Sequence, residues 1–292
     1  GDLAILPTVH YPNASRSHFD GEVFIESAQT SKNQDGWLNR HIQTQSFSAQ
    51  MRAVGLGGDL PQSMRGSAIV SSFRDLRSFS LGVPMTEETE ILDRLTSIYA
   101  QNPDASKTYS QMLHNFGQIT ISDLAIVNGL DADNYTPENG AQYPDTTLGR
   151  QMRDTALLIK QGLGLELAAL SIGGWDNHGD QGGGEPNGSQ ARRFSDFSGS
   201  IAAFYTDLGT FMNDVIVLTM TEFGRTAEEN GSQGTDHGHA STWFVLGKNG
   251  SVNGGQIHMG PTGWPGLTPD VMVRGRYLCL LYTSDAADEL LG

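Results

Sequence analysis

Apolar positions along the chain recur at two periods, and the switches between them mark out the elements. Spacings of three and four residues place apolar side chains on one face of a helix. Leu148, Met152, Ala156, Ile159 and Leu163 follow that spacing and predict a helix over 147–163, ended by Gly164. Phe194, Phe197, Ile201, Phe204, Leu208 and Phe211 predict another over 192–212, with a stripe that suits core packing rather than a cofactor. Ile91, Leu95 and Ile98 predict a helix over 86–101, and a longer one follows over 105–127. Residues 86–127 thus read as a helical hairpin inserted on the rest. Further helices are expected over 19–29 and 39–51. Short unbroken apolar runs bounded by turn residues read instead as strands buried on both faces. Such runs occur at Leu3–Leu6, Leu165–Ile172, Val215–Leu218 and Trp243–Leu246, with short strands near Ala68–Val70. Residues 128–144 are rich in Asn, Asp, Gly and Pro and read as loop.

From 147 to 246 the order is helix, strand, helix, strand, loop, strand. This is βαβ order, and it predicts an α/β fold: a mostly parallel sheet with helices on both faces. Residues 1–278 read as a single domain carrying the hairpin. Ligands of such sheets sit beyond the C-terminal ends of the strands. Two post-strand loops bring chemistry there. One holds Asp176, His178 and Asp180; the other holds Glu222 and Arg225, followed by Asp236, His237 and His239. Carboxylates and imidazoles on loops at one sheet edge suit a divalent metal ion held by nitrogen and oxygen. The same residue types also make loop hydrogen bonds through Asx turns. Glu222 fits either a metal-binding carboxylate or a partner of Arg225 that fixes the loop.

Nearer the start, Ser17 falls between a strand and a helix. That is where a nucleophile meets the free N–H groups of a helix N-terminus; it is equally where a serine caps a helix. Arg40, at another helix start, fits an anion-binding or a surface role. Asn13-Ala14-Ser15 matches the glycosylation acceptor pattern.

Composition narrows the partners. The 292 residues carry a formal net charge of -15, with a pI near 4.8 and mean hydropathy of -0.33. That balance argues against nucleic acid or an anionic membrane as the main partner. No apolar run reaches the roughly 20 residues that span a bilayer. The last stretch, Cys279–Gly292, resembles the translated read-through of a sequencing adapter, and both ends are expected to be cut. Without that stretch the chain loses its one cysteine, which excludes disulfide scaffolds and cysteine-based zinc sites.

Five motifs resemble one family when taken in order. They are Arg-Ser-His-Phe at 16–19, Gly-Trp-Leu-Asn-Arg at 36–40, Gly-Gly-Trp-Asp-Asn-His at 173–178, Thr-Glu-Phe-Gly-Arg-Thr at 221–226 and Thr-Asp-His-Gly-His at 235–239. Together they are similar to the bacterial domain-of-unknown-function family "fifteen-oh-one", whose members are largely exported, often behind twin-arginine leaders. That family is grouped with the alkaline-phosphatase and sulfatase superfamily.

The resemblance implies a periplasmic or otherwise exported protein with an alkaline-phosphatase-like, doubly wound sheet. It also implies one or two divalent metal ions (Zn, Mn, Mg or Ca) and in-line attack on a phosphate or sulfate ester. Ser17 falls at the nucleophile position, with His18 beside it and Arg40 as a further catalytic candidate. Asp176, His178, Glu222, Asp236, His237 and His239 become candidate metal ligands. Phe223 stands where the superfamily places a ligand, the Asp-x-His spacing is short, and one metal-binding Asp would lie before Gly1. The expected activity is therefore a metal-dependent hydrolase of a small anionic ester. The alternative is a non-catalytic exported binding or scaffold protein with a reduced metal site, the reading that Phe223 favours.

Overall fold

The computed structural model describes residues 1–272 apart from 12–14, 32–33, 45–48, 50, 249, 260–262 and 265. The acceptor pattern at Asn13, part of the helix expected over 39–51, and the 279–292 tail lie outside the described residues. The chain runs β1 (Leu3–Val9), α1 (His18–Ser27), α2 (Trp37–Thr44), β2 (Ala53–Leu56), β3 (Ser71–Phe73), α3 (Met85–Tyr99), α4 (Thr108–Gly129), α5 (Thr147–Lys160), β4 (Leu167–Leu170), α6 (Ser189–Leu208), β5 (Val217–Thr219), β6 (Ser241–Leu246) and β7 (Gln256–Ile257).

The mixed α/β class holds, but the sheet differs from the expected one. Among the described residues the strands form two sheets. The order β3-β2-β4 is parallel throughout, with Val54 between Ser71 and Ala168. The order β5-β6-β1-β7 is mixed: β6 runs antiparallel to β1 and β5, while β7 runs parallel to β1. The physical reason lies in the connections. No helix separates β5 from β6, so the chain folds straight back and pairs antiparallel. Parallel pairing needs a crossover of about a dozen residues or more, and those joining β2, β3 and β4 are that long. The Val215–Leu218 run is likewise not buried on both faces. It feeds the edge strand β5, where Ile216 and Leu218 remain largely exposed.

Helix α5 is the spine between the cores. Leu157 and Leu158 pack with Val54, Leu56, Phe73 and Leu76 of the parallel-sheet core. Leu148, Met152 and Ala156 pack with Phe204 and Leu208 of α6 and with Met212. Each large apolar side chain so buried contributes about 1.5–3 kcal/mol. Thr146 starts the helix: its hydroxyl accepts from the Gly149 N–H at 3.1 Å, satisfying one donor that the first turn leaves free. The α6 stripe divides into two parts. Phe204 and Leu208 are core, whereas Phe194 is half exposed and meets Trp175 edge-on at 5.1 Å. The N-terminal half of that stripe therefore props the loop after β4 instead of filling the core.

A buried polar knot ties the 130–146 segment to α5 and α6. Asp207 is fully buried and accepts from the hydroxyls of Tyr135 and Tyr143 at 2.8 Å each, from the Glu138 N–H at 2.7 Å and from Lys160 Nζ at 2.7 Å. Burial alone would raise its pKa, but Lys160 and the other donors outweigh that and hold the carboxyl below its ordinary value. A depressed carboxylate contributes stability above its unfolded pKa, near 4, and loses it as pH falls through the folded value. Asp207→Asn leaves the buried Lys160 only its longer pairing with the exposed Glu138 carboxylate at 3.3 Å and is expected to cost about 3 kcal/mol in urea unfolding at pH 7, the lower end for breaking a buried pair. The wild type should lose stability below about pH 4 more steeply than the variant does.

Candidate metal centre

Four segments from three connections meet at one edge of the molecule. His18 opens α1, next to Ser17 at the helix N-cap. Asp176 and His178 lie in the loop after β4, Glu222 to Arg225 follow β5, and Asp236 and His237 precede β6. Backbone bonds fasten the loops together. Asp180 N–H bonds to Ser232 O at 3.0 Å, Gln181 N–H to Gln233 O at 2.9 Å, and Thr235 N–H to Asn177 O at 2.9 Å. The Glu222 and His237 segments form a tight ribbon: Gly224 N–H bonds to His239 O at 2.9 Å, Gly238 N–H to Gly224 O at 2.7 Å, and Thr226 N–H to Asp236 O at 2.9 Å. Both glycines are required by close approach. A Cβ on Gly224 would lie 1.8 Å from Ala240 O, and one on Gly238 would lie 2.5 Å from Arg225 O.

The ligand atoms of His18, Asp176 and His237 all lie within 4.8 Å of one another. His237 Nε2 is 3.0 Å from His18 Nε2, 2.9 Å from His178 Nε2 and 2.9 Å from Asp176 Oδ1. The opposite ring nitrogens fix the tautomers. His18 Nδ1 faces Glu222 Oε1 at 2.5 Å, His178 Nδ1 faces Asp236 Oδ1 at 3.3 Å, and His237 Nδ1 faces the Arg16 carbonyl at 2.7 Å. Each of those oxygens accepts, so each Nδ1 carries the proton. The three Nε2 atoms converge on the Asp176 carboxylate, at 3.3 Å from His18, 3.0 Å from His178 and 2.9 Å from His237; there each can donate to it or, once deprotonated, turn a lone pair inward. An imidazole whose outer N–H is held by a carboxylate or carbonyl is the arrangement found around metal-binding histidines, and the donor set suits a borderline ion such as Zn²⁺.

Arg225 NH1 donates to Asp176 Oδ1, while its Nε donates to Thr235 Oγ1 at 3.1 Å and its NH2 to Thr235 O. Burial pushes the Asp176 pKa up, but Arg225 and His237 bring it down to about 2. Phe223 is buried, its ring 4.7 Å from that of His18 and 4.9 Å from that of His237. It acts as a wall that orients two imidazoles.

The structure thus brings His18, Asp176, His178 and His237 together. Glu222 and Asp236 lie behind them, against ring N–H groups. His239 is outside the convergent set; its carbonyl serves the ribbon. Ser17 sits at the N-cap without using its side chain as a cap. Arg40 is corrected: it donates to Asp35 O and, at 2.7 Å, to Ser27 O, at the far end of α1. Ten residues of helix put that about 15 Å from Ser17, too far to bind the same anion. Arg225 does not fix its loop through Glu222 but reaches Asp176, a pairing between loops that spacing along the chain does not reveal.

The chain belongs to the family described as protein of unknown function (DUF1501), whose family model matches residues 6–264. No curated protein and no solved structure matches it.

Gly224→Ala tests the ribbon. The added methyl forces the backbone apart, and overpacking of this kind costs about 1–3 kcal/mol. The urea midpoint should fall with an unchanged slope; an unchanged midpoint would show that the close approach is not what holds the loops.

Proposed function

We propose that the protein is an alkaline-phosphatase-like, metal-dependent hydrolase of phosphate or sulfate esters. One observation carries this reading: the inward-facing Nε2 atoms of His18, His178 and His237 beside the Asp176 carboxylate. A proton on His237 Nε2 relieves only one of its three close contacts, whereas a divalent cation relieves several. His18, Asp176 and His237 would hold the ion, with His178 flanking them. When bound, it would lower the pKa of a nearby hydroxyl and neutralise charge on the transferred group.

The remaining roles fall to the chain's own residues. Ser17 is the nucleophile, at a helix N-terminus whose free N–H groups attract an anion. Glu222, Asp236 and the Arg16 carbonyl hold the imidazoles in one tautomer. Arg225 keeps Asp176 ionised and held in place. Phe223, which occupies a ligand position of the superfamily, packs against the imidazoles and does not displace them.

Ser17→Ala is expected to cut turnover of aryl phosphates or aryl sulfates by about 10³-fold or more, the scale of losing a nucleophile, while leaving Zn²⁺ affinity within twofold. Glu222→Gln is expected to weaken Zn²⁺ binding by about 10–100-fold in calorimetric titration. If purified protein takes up no stoichiometric metal, the hydrolase reading fails and a non-catalytic binding protein takes its place. If metal binds but Ser17→Ala turns over like wild type, Ser17 is not the nucleophile.

A further inference from the structure

The start of α6 carries an arginine that the roles assigned above leave unused. Ser189 Oγ donates to Asp180 O at 3.1 Å, Gln190 N–H to Gln181 O at 3.1 Å and Asn177 Nδ2 to Gln190 Oε1 at 2.7 Å. These bonds fasten α6 to the loop that bears Asp176 and His178. One turn further on, Arg193 lays its guanidinium against the exposed backbone of Gly174. A Cβ on Gly174 would lie 2.1 Å from Arg193 NH1 and 2.8 Å from its Cζ, and the residue has a φ of +90°. Only glycine suits both demands. Among the described residues Arg193 makes no hydrogen bond and no ion pair, and its Nε is buried without a partner. The chain has 33 Asp and Glu against 18 Lys and Arg, so a guanidinium that meets no carboxylate stands apart. Nearby cations are already engaged: Arg225 with Asp176 and Thr235, and Arg40 with carbonyls at the far end of α1.

We propose that Arg193 binds a second anionic group of the substrate, so that the preferred esters are those whose alcohol carries its own oxyanion. This role rests on the ester hydrolase proposed above. Asp176 is two residues from Gly174, which puts their Cα atoms at most about 7 Å apart. An ester group at Asp176 and a second anion on Arg193 therefore fit on one small molecule. Arg193 meets the chain before Trp175, so what it holds is the remainder of that molecule and not the group being cleaved. Charge makes the contact necessary. Asp176, Asp180, Glu222 and Asp236 give the surroundings an acidic field, which disfavours an anion unless a cation receives it. A planar guanidinium receives a carboxylate, phosphate or sulfate through paired N–H donors.

Calorimetric titration of the full-length protein, loaded with one equivalent of Zn²⁺, compares phenyl phosphate with 4-carboxyphenyl phosphate. The two differ by one carboxylate across a benzene ring. Wild type should bind the carboxylated ester at least about 10-fold more tightly, the scale of one charge-assisted pair. Arg193→Gln should bring the two esters within twofold of each other without changing Zn²⁺ affinity. Arg193→Lys, which keeps the charge but not the fork, should retain part of the difference. If the protein takes up no Zn²⁺ and cleaves neither ester, the hydrolase reading fails, and the same titrations on metal-free protein still decide the role of Arg193. Wild type that binds the two esters alike, or binds neither, overturns it. So does a preference that survives in Arg193→Gln, including the case in which both esters weaken equally because Arg193 only braces Gly174.

Discussion

The crowding of three imidazole Nε2 atoms around the Asp176 carboxylate is the constraint on which the rest of this arrangement depends. Nitrogen atoms held about 3 Å apart need a proton or a cation between them, because facing lone pairs repel. The protein meets that need with fixed geometry. Glu222, Asp236 and the Arg16 carbonyl take the outer ring protons, and Phe223 limits ring rotation. Arg225 places a permanent cation on the carboxylate. The result is a site organised before any ligand arrives, the condition under which electrostatic groups act most strongly.

The scaffold supplies that rigidity from several directions. β1 leads to His18, β4 to Asp176 and β5 to Glu222, while the return to β6 carries His237. Trp175, one residue before Asp176, is braced by Phe194 and Phe197 of α6. α5 in turn locks α6 to the parallel sheet through Met152, Ala156 and Leu158. The buried Asp207 knot fixes the segment leading into α5, remote from the centre but continuous with its support.

How much of this was legible in the chain follows from what each signal encodes. The three-and-four spacing encodes burial of a helix face, so α5 and the C-terminal half of α6 were readable. The same spacing continues into Phe194 and into Tyr109–Phe116, where the face meets a loop or solvent, because periodicity records a face and not its partner. Apolar runs encoded strands but not their direction; the antiparallel return from β5 to β6 is set by the absence of a helix between them. Motif and loop position brought forward Asp176, His178 and His237 as ligand candidates, whereas His18 reads in the sequence as a catalytic candidate beside Ser17 and joins the ligand cluster only in space. They did not separate residues that point inward from Glu222 and Asp236 behind them, because that depends on rotamers in space. Of the two roles open to Arg40, the paired one is what the structure shows, because a helix start marks a possible anion site without saying which end of a neighbouring helix it faces.

The central claim is that imidazoles and a carboxylate converge to bind one cation. X-ray absorption at the zinc edge, on full-length protein loaded with one equivalent of Zn²⁺, reads this directly. The account predicts nitrogen and oxygen neighbours at about 2.0–2.1 Å with the multiple-scattering pattern of at least two imidazoles, reduced to one or none in the His18→Ala, His237→Ala double variant. A spectrum of oxygen neighbours alone, or one that the double variant leaves unchanged, would contradict it.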